Sequence, residues 1–132
     1  ITIKKEKSNL FYIELNRDNQ KTFLLKKIEN LKLIYESEIL NFLENAFPGT
    51  TVILFGSYSR GEDTINSDID IAIIKGKEKN VDLTRFEKLL QREIVINFYL
   101  SFKDINKNLK NNILNGIVLV GGVELWKNSM NF

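Results

Sequence analysis

Two carboxylates one residue apart, Asp68 and Asp70, stand at the head of an apolar run, Ile69-Asp70-Ile71-Ala72-Ile73-Ile74. A strand repeats every two residues, so both acids point to one face. Like charges side by side repel, and a folded chain keeps them together where something cationic sits between them. With oxygen donors, the economical cation is a hard divalent one, Mg2+ above all. Upstream, a second apolar run, Thr51-Val52-Ile53-Leu54-Phe55, ends in Gly56-Ser57. Gly56 lacks a Cβ, so its backbone can bend sharply and admit a ligand closely. Ser57 offers a hydroxyl and opens Tyr58-Ser59-Arg60, a possible short helix whose first N–H groups would face a phosphate. Arg60 can add charge-assisted bonds to the same phosphate. The parts describe a metal–triphosphate cradle, and two metals held there would clamp both oxygens of an in-line displacement.

Those residues lie on predicted elements. Thr51–Phe55 and Ile69–Ile74 read as buried strands, short and rich in branched side chains. Pro48-Gly49 ends a long helix that begins at Asp18 or Asn19 and runs to about Ala46, with apolar residues at helical spacing. The basic stretch Lys21, Lys26, Lys27 and Lys32 is read as a solvated face. Asp82 is placed as the N-cap of a helix over about 83–91, followed by a third strand over 93–99. Leu109, Ile113 and Leu114 mark a short helix closed by Gly116. Strand-like pieces at 117–120 and 123–126 end the chain. Residues 1–16 read as two strands around a turn at Lys7-Ser8-Asn9.

The string Gly56-Ser57-Tyr58-Ser59-Arg60-Gly61, then Ser67-Asp68-Ile69-Asp70, resembles the signature of the polymerase-β-type nucleotidyltransferase superfamily, most closely its minimal single-domain members. The resemblance spans roughly residues 35–125. It implies that Gly56, Ser57 and nearby backbone hold a nucleoside triphosphate, ATP by preference, and that Asp68 and Asp70 hold Mg2+ in a one- or two-metal site. It further implies transfer of a nucleoside monophosphate to a hydroxyl, with a helical toxin-type protein as one candidate acceptor and an antitoxin role for this chain. Active relatives usually carry a third carboxylate on the following strand. Here that position falls on Val95, or with a two-residue slip on Asn97, and neither is an acid. Glu93 shares the face and is read as solvent-facing. The alternative function is therefore a catalytically weakened nucleotide-binding or protein-interaction module.

The fold implied is α/β (α+β): a mixed central sheet with helices on one face and the site at its edge. The division expected is an N-terminal β-hairpin over 1–18, a linker helix over 19–34 and the nucleotidyltransferase domain over 35–132. The hairpin resembles the wing of a winged-helix domain, so DNA contact through it is a further, less favoured, partner. Composition narrows the chemistry. The 132 residues suit one domain. With no Cys there is no disulfide framework or thiolate site, and with no His there is no histidine acid–base chemistry or zinc–histidine site. A net charge of +2 gives no footprint for nucleic acid. No apolar stretch approaches the roughly 20 residues that span a bilayer, and no signal-peptide pattern is present, so a cytoplasmic location is expected. The chain starts at Ile1, not Met, the pattern of a trimmed N-terminus.

Overall fold

A computed structural model of the chain describes the backbone over residues 8–123 and side chains from Asn19 onward. Helices α1 (Ser8–Ser37) and α2 (Ile39–Ala46) lead into strand β1 (Thr51–Phe55), a one-turn helix α3 (Gly56–Arg60) and strand β2 (Ile69–Ile74). Helix α4 (Thr84–Leu90), strand β3 (Ile94–Tyr99), a 3-10 turn (Phe102–Asp104), helix α5 (Lys107–Leu114) and strand β4 (Ile117–Val120) follow. The sheet is mixed, in the order β3-β2-β1-β4, with β1 antiparallel to both neighbours and β2 parallel to β3.

Both central strands are apolar on both sides, and a strand of that kind must be covered on both faces. Val52, Leu54, Ile71 and Ile73 face Ile34 of α1, Ile39 and Leu43 of α2, and Phe86 and Leu90 of α4. Ile53, Phe55, Ala72 and Ile74 face Phe102, Ile105 and Ile113 of α5. The expectation of helices on one face is thus corrected: α5 and the 3-10 turn close the other.

The N-terminal expectations change too. The first hairpin strand lies outside the described residues, whereas the backbone over 10–15, expected as its second strand, belongs to α1. No Gly or Pro interrupts Ser8–Ser37, and adding a residue to a formed helix is far easier than nucleating one. The single helix expected to reach Ala46 is two helices. Ser37 Oγ donates to Ile34 O at 2.7 Å and accepts from Ile39 N at 3.2 Å. That diversion, with Glu38 left-handed at φ 65°, breaks the ladder. The N-cap of α4 is Leu83, without a side-chain cap bond, and not Asp82 as expected; Asp82 stands one residue upstream and accepts from Thr84 N at 3.0 Å.

A buried acid ties these layers to the loop that carries the motif. The Asp63 side chain is fully enclosed. Its carboxylate accepts from Asn30 Nδ2 at 2.8 Å and from Arg92 Nη2 at 3.1 Å, with Lys26 Nζ at 3.5 Å. Lys26 also donates to the Asp63 carbonyl, and Asn30 to the Tyr58 carbonyl at 2.9 Å. One side chain thereby joins α1, the loop after α3 and the start of β3. Lys26, expected on a solvated face, belongs to this knot. Burial alone would raise the Asp63 pKa, but the bonds from Asn30 and Arg92 and the charge of Lys26 outweigh it and hold the acid below its ordinary value. The neighbouring Tyr58 hydroxyl is buried without a hydrogen-bond partner among the described residues. Burial first, and the Asp63 charge second, push its pKa up to about 12.

Asp63→Asn is expected to lower stability at neutral pH by about 3–5 kcal/mol, as breaking a buried ion pair does. A group with a lowered folded-state pKa stabilises above its unfolded value, near about 4, and loses that contribution as pH falls through the folded value. Urea unfolding across pH 2–7 should show this acid limb in the parent and its loss in Asp63→Asn.

Candidate active site

The two apolar strands deliver the motif to one corner of the sheet. β1 ends at Phe55, and the chain turns at once through Gly56, whose φ is 78°. β2 runs back alongside, with Asp70 paired to Phe55. The turn is so close to the acid that a Cβ built on Gly56 would overlap Asp70 Oδ2. The Gly-Ser bend and the carboxylate are therefore neighbours in space. A second glycine sets the other side of the loop. Gly61 ends α3 at φ 71°, and a Cβ there would overlap Phe23 O and come within 2.7 Å of Lys27 N. The motif loop lies directly on the α1 backbone, and only glycine fits between.

Asp70 is half-buried and Asp68 exposed. Burial, and then the charge of Asp68, raise the Asp70 pKa, while Arg60 works against them. Ser57 sits in the first turn of α3, half-buried. Ser59 Oγ donates to Gly56 O at 2.7 Å and fixes the bend. Arg60 is exposed and pairs through Nε with Glu62 at 3.0 Å. Exposed pairs of this kind are weak, so Arg60 can be drawn to another anion. Helix α3 has only five residues, so a phosphate there would rely on individual N–H groups more than on a helix dipole.

The register decides between the two positions for a third acid. β3 pairs Asp70 with Val95 and Ala72 with Asn97. Val95, 37% exposed, therefore lies level with Asp70 on the same face, and it is apolar. Glu93 is exposed, as expected, and borders with Asp68 a cleft of about 560 Å3 between the motif loop and α4. Among the described residues, no group of three or more acids is arranged to hold a metal. The oxygen-only donors and the cradle against Gly56 fit one hard cation sharing its shell with phosphate oxygens.

The mixed four-stranded sheet with helices on its faces is consistent with a nucleotidyltransferase fold. Comparison with protein families matches the nucleotidyltransferase domain over residues 36–120, and the chain belongs to that family. Among solved structures it is similar to a candidate nucleotidyltransferase from Sulfolobus solfataricus, at 21% identity over 74% of this chain and 85% of the other. The TM-score of that match is 0.38, too low to carry weight for this chain. No curated protein matches. Among the described residues no helix is long and apolar enough to cross a membrane.

The residues that sequence reasoning missed are those of the Asp63 knot. Asp63 follows Glu62 in an exposed-looking polar string, and nothing local tells it from its neighbour.

A raised folded-state pKa gives an acid the opposite linkage from Asp63: stability is present at low pH and lost as pH rises through the folded value. Asp70→Asn is therefore expected to stabilise the metal-free protein at neutral pH. Its affinity for Mg2+-ATP should fall at least about tenfold, the lower end of what even outer-shell changes cost a metal site. Thermal unfolding and calorimetric titration read the two effects. Gly56→Ala should abolish that binding and destabilise by about 1–3 kcal/mol, the usual range for a strained backbone.

Proposed function

We propose that this chain binds a Mg2+-nucleoside triphosphate, ATP by preference, at the corner formed by Gly56, Ser57, Asp68 and Asp70. We propose further that it transfers the nucleoside monophosphate to a hydroxyl on a separate acceptor. The observation that carries this reading is the Gly56 turn packed against the Asp70 carboxylate, in a chain of the nucleotidyltransferase domain family.

In this reading Asp68 and Asp70 hold the metal, Ser57 and the backbone after Gly56 hold the phosphates, and Arg60 adds charge from the solvent side. Mg2+ supplies neutralisation of phosphate charge when bound. The Gly56 turn lets backbone approach the phosphates without a side chain between. The acceptor hydroxyl oxygen forms a bond to the α-phosphorus, the bond from that phosphorus to the bridging oxygen breaks, and pyrophosphate leaves. The hydroxyl proton passes to solvent. Asp68 opens onto the cleft beside α4, which gives the acceptor its route. A helical toxin-type protein is the proposed acceptor class, and this chain would then act as its antitoxin.

Val95 supports a second reading. With an apolar side chain level with Asp70, the acceptor side of the metal has no carboxylate, which suits a module that binds nucleotide and transfers slowly or not at all. Label from α-phosphate-labelled ATP appearing on a copurified protein, and absent with Asp68→Ala, supports the transferase. Calorimetric binding of Mg2+-ATP with no transfer supports the binding module. Failure of both binding and transfer overturns the site itself. Val95→Asp is expected to raise transfer by about 10²-fold or more, the scale of one positioned acid–base group.

A further inference from the structure

Among the described residues, helix α1 carries an apolar stripe that the domain leaves largely uncovered, with only Leu31 of it packed against the core. Its inner side seats Asn30, Ile34 and Ser37 against the body. On a neighbouring side, Leu24 is 58% exposed, Ile28 55% and Tyr35 77%, with Leu31 half-buried among them. Steps of four, three and four residues place these side chains in one line, the spacing of a two-helix seam. The same spacing extends the line to Lys21 at one end; at the other, Glu38 lies just past the end of α1, beside Tyr35, and both charges are exposed.

The charges around the line are divided. No acid occurs over residues 19–28, where Lys21 and Lys27 lie beside Lys26, which is paired with Asp63, and no base occurs over residues 33–45. At that second end, Glu36, Glu38 and Glu44 border a cavity of about 350 Å3 against Tyr35. The stripe is thus apolar in the middle, basic at one end and acidic at the other.

We propose that this stripe is a contact between two copies of the chain, with their α1 helices packed antiparallel about a two-fold axis between residues 29 and 30. In that arrangement Ile28 meets Leu31 of the second copy, Leu24 meets Tyr35, and Lys21 meets Glu38. Every layer then recurs on the other side of the axis, as an isologous interface requires. Lys32 falls opposite Leu25, where its aliphatic stem covers apolar surface. A parallel pairing would instead set Lys21 on Lys21 and Glu38 on Glu38. An anionic membrane would attract one end of the stripe and repel the other. The helical part of the seam, from Lys21 to Tyr35, runs about 21 Å, at about 1.5 Å per residue. The inference is independent of the proposed activity, because none of these residues belongs to the nucleotide corner.

Sedimentation of the full chain over a concentration series tests it. The parent is expected to form a dimer, and Ile28→Asp or Leu24→Asp to leave a monomer with an unchanged circular dichroism spectrum. Lys21→Glu and Glu38→Lys should each raise the dimer dissociation constant about tenfold or more, the scale of a close interfacial charge pair. An equimolar mixture of the two charge variants should regain the parental value, because opposite charges meet again at both ends of the heterodimer. A parent that stays monomeric at hundreds of micromolar overturns the proposal, whether or not it binds anionic vesicles. So does a dimer that these variants leave intact, or a mixture with no regain.

Discussion

Asp70 is held where a carboxylate is least comfortable. It is half-buried, one residue from a second acid on its face, with the Gly56 backbone pressed against its oxygens. The strand pairing of Phe55 with Asp70 fixes the distance from turn to acid. Asp68, just ahead of β2, lies close enough for its charge to raise the Asp70 pKa. A counter-charge arriving at this corner meets oxygen donors already placed and relieves the repulsion between the two acids.

The rest of the fold holds that corner still. Asp63 gathers Asn30 and Lys26 from α1 and Arg92 from the start of β3. Gly61 lets the loop rest on the α1 backbone. Helix α1 therefore serves the site through its packing on α3 and the loop that follows it. The same helix presents its other side to solvent, so packing and association use different stripes of one element.

Much of this was legible in the sequence, and the reasons are local. The strands around the motif announce themselves by unbroken branched residues, and the spacing of Ser57, Asp68 and Asp70 carries the family resemblance. The two-sided cover of the sheet was implied by the same unbroken runs, since a strand apolar at every position has no solvent face. What stayed hidden depends on contacts distant in sequence. Asp63 and Arg92 are separated by 29 residues, and Asn30 by 33 on the other side. The choice between Val95 and Asn97 required the register of β3 on β2, which residue spacing does not set. The break at Glu38 depends on one hydroxyl, Ser37, in a stretch otherwise helical in pattern.

The most direct measurement is the titration of the Asp70 carboxyl carbon by nuclear magnetic resonance, with and without Mg2+-ATP. The account requires a midpoint above that of an ordinary aspartate in the free protein, falling when metal and nucleotide are added. An Asp70 that titrates like an exposed aspartate, with no response to Mg2+-ATP, would contradict it.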